Sequence, residues 1–271
     1  VGSEMCIRDR FQYNDINIYE KGNRAYNTTY KYHLAEFGFS DVWYKNFRFG
    51  LGLRFEYYKY KDFLFKQPEL IDLKVESEHF LSYFAQIHYN TYDKGYFPAK
   101  GSDFKAAYSL YTDNMAQYNE HAPFSALSAS WASVLPITRR FSVIPSIYGR
   151  ILIGRNFPYP LQNAIGGEVP GFYIPQQLPF AGVNNIELMD NAIMIASLKL
   201  RQRMGAIHYL ILTGNYGLTD SHFFKILKGK QLFGISAGYG MDSVFGPLEI
   251  SLGYSNQTDK ASCFVNLGYY F

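Results

Sequence analysis

Residues 47–58 read FRFGLGLRFEYY, and this stretch decides the fold class. Phe47, Phe49, Leu51, Leu53, Phe55 and Tyr57 take every second position, with Arg48, Gly50, Gly52, Arg54, Glu56 and Tyr58 between them. Successive side chains on a β-strand point to opposite faces, so this period makes one face apolar and the other polar or small. The alternation returns near the end, where Leu248, Ile250, Leu252 and Tyr254 interleave with Glu249, Ser251, Gly253 and Ser255. It closes the chain with Val265, Leu267, Tyr269 and Phe271. Similar segments fall near 80–91, 102–112, 124–135, 141–153, 192–204, 206–217 and 232–241, with weaker ones over 26–37 and 11–19. That makes about eleven or twelve strands, many close to the roughly 9–11 residues that cross a bilayer at a tilt. Helical character is confined to a short turn near Phe223–Leu227.

Composition agrees. The 271 residues are 18% aromatic, with 25 Tyr and 23 Phe, and 18% charged. Tyr and Phe favour strands, whereas a helical bundle would be rich in Ala, Leu, Glu and Lys. No run of about 18 apolar residues supplies a transmembrane helix. A net charge of +3, evenly spread, gives no basis for a nucleic-acid partner. Two cysteines, Cys6 and Cys263, cannot make a disulfide framework. The opening VGSEMCIRDR lacks the basic start and apolar stretch of a signal peptide. It resembles a translated sequencing-adapter string, so residues 1–10 are set aside and the domain is taken as 11–271.

A soluble sandwich or barrel would bury the apolar faces and expose the polar ones. A membrane barrel inverts this, with lipid outside and Gly, Ser and charged residues lining the interior. Three features favour inversion. The polar faces are rich in Gly and Ser beside Arg and Glu. Aromatic residues such as Phe47, Tyr57, Tyr239, Tyr254 and Phe271 stand near strand ends, where an interfacial girdle would lie. Connections from about residue 38 onward alternate short and long, as periplasmic turns and extracellular loops do. The fold class is therefore all-β, an antiparallel transmembrane β-barrel, with the C-terminus on the short-turn side.

Four segments resemble the BamA-like surface-antigen superfamily of outer-membrane barrels, most closely the C-terminal barrel of patatin-like phospholipases from Bacteroidota. Asp93–Gly101, DKGYFPAKG, is similar to a family turn in which Asp93, Pro98 and Gly101 carry the pattern. Gly166, Gly167, Glu168, Pro170, Gly171 and Phe172, followed by YIPQQLPFAG, look like the long in-folding loop. Ser197–Arg203 resembles the strand after it, and Leu267, Tyr269 and Phe271 resemble an aromatic-ended signal for the barrel-assembly machinery. The resemblance implies an N-terminally truncated barrel, with about eleven or twelve of an expected sixteen strands. It also implies outer-membrane lipid and an upstream passenger domain of the same chain as partners.

One departure stands out. The family loop carries an Arg before its Gly-Phe pair, reaching an acidic residue on the interior wall; here that place holds Pro170. The next strand instead presents a basic row, Lys199, Arg201 and Arg203. Two readings follow: Glu168 or Glu187 meets those cations in a swapped contact, or the cations are solvated.

Gly234-Ile-Ser-Ala-Gly238 matches the G-x-S-x-G nucleophile elbow, which needs a strained strand-to-helix turn. Alternation continues through it and the chain holds no D-G-[AG] tripeptide, so no catalytic role is expected for Ser236. His33, His79, His88, His121, His208 and His222 lack ligand spacing such as H-E-x-x-H, so neither metal nor cofactor is expected. The function expected is a non-catalytic anchor or translocator barrel of a patatin-like phospholipase. The alternatives are a BamA-like barrel for protein assembly or secretion, and a soluble all-β carbohydrate-binding protein.

Overall fold

The computed structural model describes residues 5–65, 77–112, 123–171 and 173–268. Twelve antiparallel strands form one sheet: β1 (Met5–Glu20), β2 (Asn23–Tyr44), β3 (Phe47–Phe65), β4 (Glu78–Asn90), β5 (Gly101–Tyr111), β6 (Phe124–Pro136), β7 (Phe141–Ile153), β11 (Ala192–Arg203), β12 (His208–Asp220), β13 (Lys230–Ser243), β14 (Gly246–Ser255) and β15 (Ala261–Leu267). Each pairs with its neighbour in chain order. Three short strands inside the long connection, β8 (Asn163–Ile165), β9 (Gln177–Leu178) and β10 (Leu188–Asp190), make a separate small sheet. The weak segment over 26–37 proves to be part of β2, at 22 residues the longest strand. Residues 5–10 run as the start of β1, paired with residues 34–39 of β2.

The two faces separate as the alternation requires. Leu51, Trp131, Ile147, Leu198, Leu212, Ile235, Leu252 and Val265 are exposed on the outer face. On the inner face Glu56, Ser109, Asn215, Ser236, Ser251 and Asn266 are buried. A soluble sandwich would require the apolar rows to be covered, and here they are bare. Connections also sort by end. Residues 45–46, 91–100, 137–140, 204–207 and 244–245 lie at one mouth; the described connecting residues 154–171, 173–191, 221–229 and 256–260 lie at the other. One departure from this parity is the β1–β2 turn on the long-loop side. Lys21 (φ 48°) and Gly22 (φ 73°) turn the chain in two residues, as hairpin turns with two left-handed positions do.

The interior is not uniformly wet. Towards the long-loop mouth the inward rows of β2 to β6 are aromatic: Tyr26, Tyr30, Tyr32, Tyr58, Tyr60, Phe80, Tyr111 and Phe124 form a buried cluster with Leu161, Ala164, Ile174 and Ile186 of the long connection. Across the interior, Phe180 and Val183 pack with Ile193, Ile195 and Leu232. The core therefore lies between the sheet and its own folded-in loop. Among the described residues β1 and β15 do not pair with each other. Instead Tyr19 donates its amide to the Ile186 carbonyl (2.8 Å), and Asn184 donates its side-chain amide to the Cys263 carbonyl (2.7 Å).

Candidate functional site

The segment from 154 to 191 is held to the wall by polar side chains spaced along it. At its root, Asn163 is fully buried and donates to the carbonyls of Arg150 and Asn191, both at 2.8 Å. The Arg150 guanidinium donates back to the Leu161 carbonyl at 2.7 Å. At its tip, Gln177 organises the glycine-rich turn. Its carboxamide nitrogen donates to the carbonyls of Gly166 and Val169, and its oxygen accepts the Tyr173 amide at 2.7 Å. Gly167 (φ 63°) and Gly171 (φ 66°) take left-handed conformations that the turn needs and that glycine supplies without a Cβ penalty.

Neighbouring residues tie this tip to four wall strands. Gln176 donates to the Tyr58 hydroxyl on β3 at 2.6 Å. Tyr148 on β7 donates to the Pro179 carbonyl at 2.8 Å, and Asn215 on β12 accepts the Ala181 amide at 3.0 Å. Gly182 (φ 77°) presses on β14 so closely that a Cβ there would lie 2.3 Å from the carbonyl carbon of Tyr254. The inward glycines thus make room for the loop: a Cβ at Gly234 would meet the Ala181 carbonyl oxygen at 2.2 Å and the Phe180 ring at 2.6 Å. Gly182→Ala should accordingly release the tip. The left-handed backbone alone costs about 1–2 kcal/mol for a non-glycine residue, and protease cleavage within 166–187 should rise.

The wall beneath Gln176 carries a buried carboxylate. Glu56 on β3 accepts the hydroxyls of Tyr32 (3.0 Å), Tyr58 (2.9 Å) and Tyr111 (2.9 Å), from three different strands. Beside it Arg54 pairs with Glu36 at 2.6 Å and lies 4.7 Å from the Phe84 ring centroid. Buried carboxylates persist where their lone pairs are satisfied, and three phenols meet that need here.

The swapped contact does not form. Glu168 accepts the Gly182 amide (3.4 Å) and Glu187 accepts the Gly22 amide (3.2 Å). Arg201 donates to the Pro98 carbonyl, and Arg203 donates to the carbonyls of Gly205 (2.7 Å) and Ala206 (2.9 Å). The reason is register: Arg203 stands at the short-turn mouth, whereas the loop descends from the opposite one. Lys199 faces inward opposite Thr213. Burial raises the Glu187 carboxyl above its ordinary 4.5, against the lowering effects of the Gly22 amide, Lys260 and Lys230. A raised carboxyl contributes stability below the unfolded value, lost as pH rises through the folded one. Glu187→Gln should therefore give a modest gain in urea midpoint at pH 7 and none at pH 4.

The turn residues are also placed. The Asp93 carboxylate accepts the amides of Ala99 (2.8 Å) and Lys100 (3.4 Å), and Gly101 (φ 106°) closes against Thr91. Pro98 is brought to Arg201, joining two segments that the sequence presents separately. Glu168 and Pro170 lie on the loop tip, with Pro170 exposed. Leu267 is exposed on the outer face. Phe172, Tyr269 and Phe271 fall outside the described residues, as does His121. Gly234 to Gly238 run straight through β13, with Ser236 buried between Thr213 and Gly253, so no elbow exists there. The sequence reading puts Glu56 on the inner face and Gln176 and Gln177 in the loop but gives them no individual role, and it does not single out Asn163 or Asn215. The available signal was the unusual run of tyrosines on inward positions around Glu56.

The family model of the OMP85 superfamily matches residues 7–271. Among solved structures, BamA from Haemophilus ducreyi lacking POTRA domains 1–3 is similar at 12% identity with a TM-score of 0.66, covering 95% of this chain and 56% of that one. CdiB from Escherichia coli is similar at 14% identity with a TM-score of 0.62, covering 95% of this chain and 48% of that one. The chain thus spans about half the length of these structures. No curated protein matches it.

Proposed function

The chain belongs to the OMP85 superfamily of outer-membrane barrel proteins, and from that premise we propose that it is the membrane-embedded, non-catalytic part of a larger protein, serving to anchor or translocate what is attached to it. The observation that carries this is the inversion of faces: apolar rows such as Leu198, Leu212 and Leu252 stand bare outside, while the interior is packed with the protein's own loop. Among the described residues the interior towards the long-loop mouth is filled by the loop, which suits a membrane anchor. It also suits a barrel that opens only when its loop is displaced.

Two parents fit. The turn Asp93–Gly101 and the loop around Gly166–Gly171 resemble those of patatin-like phospholipases, which favours an upstream lipid acyl hydrolase. The likeness in fold to BamA and CdiB favours a barrel for protein assembly or secretion. Outer-membrane lipid and the barrel-assembly machinery are partners in either case. Expressing the full-length parent distinguishes them. Hydrolysis of phospholipid acyl esters by purified outer membranes, lost on mutating a Ser elbow upstream of this barrel, establishes the first. Loss of other outer-membrane or secreted proteins on depletion, without hydrolysis, establishes the second.

A further inference from the structure

At the short-turn mouth the β4–β5 connection, residues 91–100, does not skirt the rim but folds inward. Phe97 adopts φ 46°, a left-handed conformation, and is 7% exposed. Its ring stacks on Tyr209 of β12, with centroids 4.5 Å apart and planes 13° from parallel. Ile211 completes this cluster, with Tyr96 packed against it. Gly240 on β13 receives the ring edge: a Cβ there would lie 2.9 Å from it. Polar contacts fasten the turn on both sides of the ring. Arg201 on β11 donates to the Pro98 carbonyl, and Lys94 pairs with Asp242 of β13 at 3.7 Å. A connection between two strands on one side of the sheet is thus pinned to three strands on the other.

We propose that residues 91–100 are a stopper that closes the short-turn mouth of the interior to small solutes, with Phe97 as its seat. This depends on the barrel reading but not on which parent the barrel serves. A strained aromatic residue held by stacking, a glycine socket and charged pins is more than a turn needs merely to reverse direction. Non-glycine residues persist in left-handed backbone where surrounding contacts over-determine them. Just above the seat lies the inward row Lys199, Thr213 and Ser236. Above that, Asn215 already touches the loop from the other mouth. Each mouth therefore has its own inward-folded segment, packed on different residues.

The test is solvent access to Thr213 from the short-turn side. In a full-length protein in membranes with Cys263 and every other native cysteine replaced by serine, Thr213→Cys should react slowly with a small charged thiol reagent. Adding Phe97→Ala should raise the rate roughly tenfold or more, because the local closed state loses its main contact. Phe245→Ala, on another turn of the same mouth, should leave it unchanged. Separately, Lys94→Cys with Asp242→Cys should be joined by a short bifunctional maleimide with Phe97 intact. An unchanged Thr213→Cys rate on loss of Phe97, or failure of that cross-link, overturns the stopper. Leu212→Cys, on the lipid face, is the control for the barrel itself: fast reaction there would refute the barrel and the stopper with it, whereas slow reaction there with an unchanged Thr213→Cys rate refutes the stopper alone.

Discussion

Leu212→Arg should lower the stability of the membrane-embedded protein by about 2–4 kcal/mol, the cost of a guanidinium on the lipid face near mid-bilayer. Leu212 is 52% exposed on the outer face, between Leu200 and Ala237 on the flanking strands. No inward group is available to pair with the new charge there. Thr213→Glu, one residue along, should be near neutral, because it points inward directly opposite Lys199. Facing opposite charges on neighbouring strands contribute roughly 0.2–1 kcal/mol. Urea unfolding in detergent or lipid, followed by tryptophan fluorescence, measures both. Equal effects of the two substitutions would show that position 212 does not face lipid.

Glu56→Ala should cost about 3–5 kcal/mol, the usual scale for removing one partner from a buried charged network. The hydroxyls of Tyr32, Tyr58 and Tyr111 lose their shared acceptor, and each is buried against water that could replace it. The effect should reach the loop, because Tyr58 also accepts from Gln176. Tyr58→Phe separates the two consequences: it removes one donor to Glu56 and the loop's acceptor together, leaving the other phenols in place. It should cost about 2–4 kcal/mol, the sum of one hydrogen bond to a charged group and one ordinary one, while raising protease access to 166–187. Protection unchanged in both variants would mean that the loop is held by its other contacts without the Tyr58–Gln176 link.

Much of the fold was legible because strand alternation is a local property. The rows beginning at Phe47 and Leu248 appear in β3 and β14 on the faces expected of them, and the inward Ser236 disposes of the nucleophile elbow. The interior was harder to read. Alternation puts Gly234, Gly240 and Gly253 on the interior face, but which segment each accommodates is not a local property: Phe180 and Ala181, Phe97, and Gly182 respectively. The basic row is continuous in sequence, but its members part company in the fold. Arg201 is drawn under the Asp93–Gly101 turn, while Arg203 turns back to its own hairpin. The acidic residues Glu168 and Glu187 found backbone amides in place of cations.

By itself the sequence determined which face of strands such as those begun by Phe47 and Leu248 is turned outward, roughly where most strands lie, and which connections are short. These follow from a two-residue repeat and from the stretch of chain between repeats, neither of which depends on distant partners. Only the tertiary structure decided what fills the interior. Gln176 meets Tyr58, and Arg201 meets Pro98, across more than a hundred residues of chain. Such pairs are set by how far the sheet curls and by the depth to which each connection descends.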